Sequence, residues 1–279
     1  MQPQGVTEAA SSALIVVPAR HGSTRLPGKP LLPIAGRTLL QRVVAVAQAA
    51  ARLAEDCAVV VATDHDGIAD HARAIGAEVA MTAADLDSGS SRARAAAHAR
   101  AVLPQFVVNL QGDAPFVPPE VVAGLLAMLR QGDADVATPV YRLDWTRLDR
   151  LRAHKQAAPF SGTTCIRGDD GRALWFSKAI VPAIREEKAL RAAQACSPVW
   201  QHLGLYGYRM AALDWFAGAP PGVYERLEGL EQLRFLEGGR TIATVEVDPP
   251  AHAMSGIDTP ADLALAEEAI KRLGDPFPA

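Results

Sequence analysis

Apolar and polar residues alternate in blocks along the first half of the chain, and each block has the length of one strand or one helix. Three compact runs, Ala13–Ala19, Cys57–Thr63 and Phe106–Leu110, are almost entirely apolar, which is typical of strands buried on both faces. Between them, Thr38–Leu53 and Asp66–Ile75 carry apolar residues at helical spacing. This order predicts a doubly wound, mostly parallel sheet that binds its ligands at the carboxyl ends of the strands.

The second half of the chain has a less regular pattern. Prolines open a predicted helix over Val121–Leu129, and we expect the irregular segment Asp144–Ser161 to lead the chain out of the main sheet. The remaining predicted elements are strands at Ala173–Phe176, Leu205–Tyr208 and Thr241–Val247 and helices at Tyr224–Glu237 and Thr259–Leu273. The sequence therefore predicts an α/β fold with a smaller mixed α+β region in its second half.

The composition excludes several classes of protein. With 49% apolar and 21% charged residues, the chain can build a full core, so wholesale disorder is excluded. A net charge of −3 argues against binding to nucleic acid or to a membrane, and no apolar run is long enough for a membrane helix. Cys57, Cys165 and Cys196 lie too far apart in sequence to suggest a zinc site or a disulfide framework. Because Met1–Ser12 lacks the basic segment of a secretory signal, we expect a soluble protein of a reduced, cytoplasmic compartment.

A loop rich in cations and glycine, Pro18–Pro30 (PARHGSTRLPGKP), follows the first predicted strand. Arg20, Arg25 and Lys29 supply three positive charges, and the glycines allow backbone N–H groups to turn toward an anion. The loop matches neither the Walker loop nor the GxGxxG fingerprint. An ordinary solvated basic loop is the alternative, but the position of this loop at the carboxyl end of a strand favours a phosphate site.

Two aspartates are candidates for a metal site. Asp113 comes directly after the strand Phe106–Leu110 and beside Gly112, where a carboxylate suits Mg²⁺. A turn-capping role is the alternative for this residue. Asp258 stands before a Thr-Pro pair, a position at which an aspartate most often caps a helix.

Four further polar residues are candidates for binding a hydroxylated ligand. His202 and Tyr206 are four apart, so on one strand their side chains would share a face, although a half-buried hydrogen-bonded pair is an equal alternative. Glu231 and Gln232 belong to the predicted helix Tyr224–Glu237, where simple solvation of a polar pair is the alternative.

Six ordered segments of the chain resemble one family. They are PAR-x-x-STRLPGKPL after the first strand, TDHDGIAD at 63–70, NLQGDAPFVP at 109–118, HLGLYGYR at 202–209, LEGLEQLRFLEGG at 227–239 and GIDTPADL at 256–263. Together they are similar to the sugar-activating cytidylyltransferases, and within these to the 3-deoxy-manno-octulosonate (Kdo) branch. The similarity runs from Ala13 to Leu273, and so many ordered segments make coincidence implausible.

The resemblance implies a reaction in which CTP and a keto-sugar acid give a CMP-sugar and pyrophosphate. It implies catalytic roles for Arg20, Lys29 and Asp113, and a Mg²⁺ site at Asp113 and Asp258. The implied nucleotide-binding residues are Pro18, Ala19, Arg20, Arg25, Lys29, Gly89, Arg92 and Gln111. The implied acceptor-binding residues are Gln111, His202, Tyr206, Glu231 and Gln232.

The family precedent also suggests the organisation of the chain. It implies a Rossmann-like sheet of the nucleotide-diphospho-sugar transferase type, with a nucleotide-binding half at residues 13–143. An acceptor-binding and dimerisation region at residues 144–273 would pack on the same sheet, so that residues 13–273 also count as one domain. The precedent is a cytoplasmic homodimer that serves lipopolysaccharide biosynthesis.

The chain departs from the family pattern at several positions. Ala114 stands where the family has an acid, Ser90 and Ser91 replace a Thr-Glu pair, and Thr164 stands where a lysine would fall. In the same serine-rich segment, Ser88 is also a candidate cap for a following helix. The departures leave two alternatives open. These are CMP transfer to a different acid, such as another ulosonate or a phosphonate, and a catalytically inactive nucleotide- or sugar-binding relative.

Overall fold

A computed structural model of the protein describes residues 12–22, 26–86, 88–251 and 256–276. The strands in these ranges, β1 to β12 in chain order, are Ala13–Ala19, Pro33–Ile34, Arg37–Thr38, Cys57–Thr63, Glu78–Met81, Phe106–Asn109, Val136–Asp144, Thr163–Arg167, Ala173–Ser177, Cys196–His202, Tyr206–Arg209 and Ile242–Glu246. The helices, α1 to α10, are Leu39–Leu53, Asp66–Ala74, Gly89–His98, Pro119–Gln131, Trp145–Ala157, Glu187–Ala193, Met210–Gly218, Val223–Glu228, Gln232–Glu237 and Pro260–Leu273. A short 3-10 turn covers Lys29–Leu31.

One large sheet organises the described residues. Its spatial order is β5-β4-β1-β6-β11-β7-β10-β8-β9, and β12 pairs with β7 beside this path. The strands β5, β4, β1 and β6 are parallel to one another, and β12 is parallel to β7. Among the described strands of this sheet, only β9, β10 and β11 run in the opposite direction. The prediction of a mostly parallel α/β sheet is therefore confirmed.

Helices cover both faces of the sheet, as the continuous apolar runs require. On one face, Ile15 and Val17 of β1 share a buried cluster with residues of α1, α2, α4 and α10. On the other face, Leu14 and Val16 pack into a second cluster with α3, α7 and α9. Because successive side chains of β1 point to opposite clusters, the strand must be apolar at every position.

The parallel strands end together at the edge where the predicted site lies. Ala19 at the end of β1 is paired with Thr63 at the end of β4, and Val16 is paired with Asn109 at the end of β6. The residues that follow these strands therefore come together in space although they are distant in sequence. No described helix has the length and apolar character needed to cross a membrane.

The segment Asp144–Ser161, expected to be irregular, contains the helix α5. Asp144 caps it by accepting the backbone N–H of Arg147 at 2.7 Å, and the helix buries Trp145, Leu148 and Leu151. These three residues lie three apart and pack on a small cluster with β7 and β10. The prediction of an irregular segment was wrong. Charged residues on both sides of this narrow apolar face obscure its helical spacing in the sequence.

The predicted helix Tyr224–Glu237 is two helices, α8 and α9. Gly229 ends α8 in the left-handed region at φ 64°, which a residue with a side chain adopts only with strain. Glu231 then stands at the N-cap of α9. The break turns the first residues of α9 toward the sheet.

Residues from both sides of the predicted boundary at 143/144 share the sheet. β11 inserts between β6 and β7, and β10 pairs with β7 in antiparallel register, for example His202 with Val140. The second half thus builds its part of the site on the strands of the first.

Candidate active site

A cavity of about 320 Å³ opens at the carboxyl edge of the parallel strands. Its lining includes nine of the sequence-predicted site residues, Pro18, Ala19, Arg20, Lys29, Gly89, Arg92, Gln111, Asp113 and Asp258. The fold therefore brings the predicted nucleotide and metal residues together at one place. Arg25, the remaining predicted nucleotide-binding residue, lies outside the described residues.

The basic loop enters the cavity directly from β1. Arg20 is exposed at the first position after the strand. At the far end of the loop, Gly28 adopts φ 65° and the backbone N–H of Lys29 donates to Leu26 at 3.1 Å. This reversal turns Lys29 back toward the carboxyl edge of the sheet.

Gly112 permits a close approach between the loop after β6 and the end of β1. A Cβ at this position would lie 2.2 Å from the carbonyl oxygen of Pro18, well inside any van der Waals contact. The contact places Gln111 and Asp113 against β1. The backbone carbonyl of Asp113 also accepts from Ile257 N–H at 2.9 Å, which brings the segment before α10 to the same place.

The two predicted metal-binding aspartates meet at one ammonium group. Lys29 Nζ donates to Asp113 Oδ2 at 2.8 Å and to Asp258 Oδ1 at 3.1 Å. The capping alternative for Asp258 is excluded, because the side chain of Thr259 caps α10 by accepting from Asp262 N–H at 3.3 Å. Asp113 and Asp258 both line the cavity.

Serine and glycine form the start of α3 at the cavity. Ser88 caps the helix by accepting from Ser91 N–H at 3.0 Å, as one of the alternatives predicted. Gly89 follows directly, and a Cβ there would lie 3.1 Å from the side-chain amides of both Asn109 and Gln111. The absence of a side chain at Gly89 lets the helix N-terminus rest on these amides.

Arg92 is held by a carboxylate that the sequence analysis did not identify. Its Nη2 donates to Asp64 Oδ2 at 3.0 Å, and its Nη1 donates to Thr82. Asp64 follows β4 directly, and Asp113 stands likewise in the loop after the parallel strand β6. Applying that rule to every parallel strand would have found it.

His202 and Tyr206 lie close together, but for a different reason from the one predicted. They belong to different strands, β10 and β11, which flank β7, and their ring centroids are 5.4 Å apart. The prediction that one strand carries both was wrong, because the chain turns at Leu203–Leu205 between them. Tyr206 is partly buried, and burial raises the pKa of its hydroxyl well above the ordinary value, with smaller contributions from Tyr208 and Glu231.

The imidazole of His202 is buried and neutral. Burial, with a smaller contribution from the charge of Lys178, lowers its pKa to about 3. Thr138 Oγ1 donates to the carbonyl of Leu205 at 2.8 Å, so it accepts from His202 Nε2 at 2.8 Å. This assignment puts the proton on Nε2 and leaves Nδ1 as an acceptor.

Gln232 is turned inward, whereas Glu231 is an exposed residue whose carboxylate reaches the buried Ser90. Glu231 Oε2 accepts from Ser90 Oγ at 3.3 Å, and Ser90 Oγ also lies 3.4 Å from the hydroxyl of Tyr208. Gln232 is 3% exposed, and its buried Nε2 has no hydrogen-bond partner among the described residues. An unpaired buried amide is costly, so this group is suited to meet a ligand. Ser90 joins this group to the N-terminus of α3, and hence to the cavity.

Lys178 is a second residue that the sequence analysis did not identify. Its Nζ donates to Thr163 Oγ1 at 3.2 Å, and burial lowers the pKa of its ammonium group. Thr164, at the position of the expected lysine, is fully buried and donates to the carbonyl of Ala179 at 2.7 Å. Lys178, the residue that follows β9, therefore supplies a positive charge near His202, although the side chain of Thr164 carries no charge.

Comparison with known proteins gives a consistent result. A family model described as cytidylyltransferase matches residues 14–242. A 3-deoxy-manno-octulosonate cytidylyltransferase of Maricaulis maris is 38% identical over 265 residues, which cover 95% of this chain and 99% of that protein. One of Syntrophotalea carbinolica is 40% identical over 264 residues, covering 94% of this chain and 100% of that protein.

Solved structures agree with these matches. A CMP:2-keto-3-deoxy-manno-octonic acid synthetase complexed with CTP has a TM-score of 0.78 and 32% identity, covering 94% of this chain and 100% of that chain. A 4-diphosphocytidyl-2C-methyl-D-erythritol synthase of Anaerococcus prevotii has a TM-score of 0.58 at 13% identity, covering 94% and 97%. The second likeness concerns the fold alone.

Proposed function

Because the chain belongs to the cytidylyltransferase family, we propose that it transfers a CMP group from CTP to 3-deoxy-manno-octulosonate (Kdo) and releases pyrophosphate. The observation that carries this proposal is the meeting of the basic loop and the Asp113–Asp258 pair at one cavity. The similarity supports the same proposal, because the chain is 38% identical over 95% of its length to a Kdo cytidylyltransferase of Maricaulis maris.

In this reaction a hydroxyl oxygen of the sugar acid forms a bond to the α-phosphorus of CTP, the bond from that phosphorus to the pyrophosphate oxygen breaks, and the hydroxyl proton is released to solvent. Such a transfer depends on alignment of the reacting groups and on neutralisation of phosphate charge. We assign the charge neutralisation to Arg20 and Lys29, which line the cavity. The N-terminus of α3 at Gly89 and the amide of Gln111 supply further polar contacts for the nucleotide.

The residues present fit a magnesium ion. Asp113 and Asp258 offer carboxylate oxygens that already converge on one cationic group, and Mg²⁺ in nucleotide sites is typically held by one or two carboxylates plus substrate phosphates. Within the described residues no cluster of three or more His, Cys, Asp or Glu side chains could hold a metal. When bound, the ion would neutralise charge on the triphosphate.

The second group of residues suits a hydroxylated acid. We assign acceptor binding to His202, Tyr206, Glu231 and Gln232, with Gln111 between them and the nucleotide. Neutral His202 can accept a sugar hydroxyl at Nδ1, and Glu231 can accept from two hydroxyls at once. The partly buried ammonium of Lys178 offers a counter-charge for the carboxylate of the sugar acid. This counter-charge supports an acid acceptor in spite of Thr164.

We also propose a homodimer in which residues 144–273 supply the contact. Exposed apolar side chains in this region support the proposal. On α8, Val223, Tyr224 and Leu227 are 56%, 51% and 74% exposed. Leu174 on the edge strand β9 is 59% exposed. Sedimentation that detects only monomer at working concentrations would contradict this assembly. A cytoplasmic location and a place in lipopolysaccharide synthesis are proposed from the family alone.

The test of the activity is pyrophosphate release from CTP and Mg²⁺ with Kdo and a panel of other keto-sugar acids and phosphonates. Release with Kdo is expected. Release with another acid alone would retain cytidylyl transfer but correct the acceptor. CTP binding without release for any acceptor would identify a catalytically inactive relative.

A further inference from the structure

Lys29 occupies the space between the two carboxylates that are proposed to hold Mg²⁺. Its ammonium lies 2.8 Å from Asp113 and 3.1 Å from Asp258. The side chain of Lys29 is 14% exposed, whereas those of Asp113 and Asp258 are 28% and 41% exposed. The cation is thus the most enclosed of the three, and its charge compensates one of the two negative charges.

The same carboxylates cannot serve the ammonium and a divalent ion equally well at one time. Magnesium takes oxygen ligands at about 2.0–2.1 Å in nearly octahedral geometry. A divalent ion held between the same two carboxylates would stand close to the ammonium in its present place, where like charges repel. Filling the metal site therefore favours movement of Lys29 away from the aspartates.

Lys29 has a second set of partners within reach when nucleotide is bound. It lines the same cavity as Arg20 and Gly89, where the triphosphate is proposed to bind. Its flexible side chain extends from the 3-10 turn that follows Gly28, so the ammonium can reorient by side-chain rotation alone. Phosphate oxygens would replace the carboxylates as its acceptors.

We propose that Lys29 is a built-in counter-ion of Asp113 and Asp258, held there only until nucleotide binds. The phosphates draw the ammonium away from the aspartates, and the divalent ion takes its place between them. Metal and nucleotide therefore bind with strong mutual cooperativity, and the nucleotide-free protein holds divalent ions weakly. This inference rests on the proposed function, and it adds an order to the filling of that site.

The test measures the binding of Mn²⁺ to the full chain without nucleotide. Electron paramagnetic resonance reports the concentration of Mn²⁺ that remains free. Lys29→Met removes the charge and is expected to bind Mn²⁺ roughly tenfold or more tightly than the parent protein, because both carboxylates lose their competitor. Lys29→Arg, which keeps the charge, is expected to bind as weakly as the parent. Lys188→Met, on exposed α6, is the matched control and should change nothing. Adding Asp113→Asn to Lys29→Met should abolish the gain.

Water proton relaxation distinguishes ions bound to protein from ions bound to CTP alone, and it completes the test. The parent protein should bind Mn²⁺ tightly only when CTP is present. Tight Mn²⁺ binding without nucleotide, equal in the parent protein and Lys29→Met, would overturn the proposal that Lys29 leaves the aspartates when nucleotide binds. In that case, loss of CTP-dependent Mn²⁺ binding in Asp113→Asn would still support the proposed metal site. Failure to bind Mn²⁺ even with CTP would overturn both.

Thermal unfolding of the parent protein tests the same proposal without the use of a variant. Mg²⁺ alone should leave the unfolding temperature of the parent protein unchanged, whereas Mg²⁺ with CTP should raise it. A rise in the unfolding temperature with Mg²⁺ alone would contradict the displacement of Lys29 by nucleotide, even if Lys29→Met failed to fold.

Discussion

Arg92 donates through Nη2 to Asp64 Oδ2 at 3.0 Å and so fastens the first turn of α3 to the end of β4. Both side chains are enclosed, with 3% and 13% exposure. Through its other oxygen, Asp64 lies 3.5 Å from the backbone N–H of His21 in the basic loop. One carboxylate therefore positions two parts of the proposed nucleotide site that come from different segments of the chain.

Asp64→Asn is expected to raise the KM for CTP about tenfold with a smaller change in kcat, because a neutral amide holds Arg92 and the loop less firmly. Asp64→Ala leaves the buried guanidinium without a counter-charge and should lower the free energy of unfolding by about 3 kcal/mol. Steady-state kinetics and urea unfolding measure the two effects. Asp66→Asn, an exposed residue on α2, is the control. An unchanged KM in Asp64→Asn would contradict the positioning role.

Asp113→Asn and Asp258→Asn are each expected to lower turnover about a hundredfold or more, because each removes a carboxylate from the proposed metal site. The double variant should lose much less than the product of the single losses, since both residues serve one ion. Turnover at saturating CTP and Mg²⁺ is the measurement.

Thr259→Ala separates metal binding from helix capping at this position. Thr259 carries the cap of α10, so its loss should cost about 1 kcal/mol of stability with most turnover retained. Asp258→Asn should show the reverse pattern. Full additivity of the losses of turnover in Asp113→Asn and Asp258→Asn, or near-normal turnover in either variant, would contradict a metal ion shared by the two aspartates.

Asp258 illustrates what the sequence could and could not decide. An aspartate before Thr-Pro most often caps a helix, and the same local pattern is also compatible with a metal ligand. In the structure the side chain of Thr259 carries the cap of α10, and Asp258 contacts Lys29, 229 positions away in sequence. The strands β1 and β4 were predicted to the residue because strands buried on both faces leave continuous apolar runs.

Other features depend on contacts that no local pattern records. The narrow buried face of α5 is hidden among charged residues, and the pairing of His202 with Tyr206 arises across β7 rather than along one strand. The position of Lys178 beside His202 depends on the pairing of β8 with β9 and of β8 with β10. Predicting these features requires the register of the sheet.

Gly112→Ala is expected to damage the site more than the fold. The added Cβ would meet the Pro18 carbonyl at 2.2 Å, so the loop after β6 must move away from β1 and take Asp113 with it. Displacing a catalytic group by about 1 Å can cost roughly a hundredfold in rate. Turnover and CTP affinity should both fall. Gly204→Ala, where a Cβ meets nothing within 4 Å, is the control. Normal turnover in Gly112→Ala would show that the close approach is dispensable.

His202 is expected to make the protein less stable as the pH falls below neutrality. Burial lowers its pKa from 6.5 to about 3, so the unfolded chain takes up a proton at this residue below about pH 6.5 while the folded protein does not. Its contribution is therefore fully present above pH 6.5 and is lost progressively as the pH falls toward 3. Between about pH 7.5 and about pH 5 the loss should approach about 2 kcal/mol. Urea unfolding at both values, with His202→Gln as the comparison, isolates this residue because all other titrating groups are shared. The free energy of unfolding of His202→Gln should fall less between the two values. An equal fall in both proteins would mean that His202 takes up its proton over the same pH range in the folded and unfolded states, which would contradict the lowering of its pKa by burial.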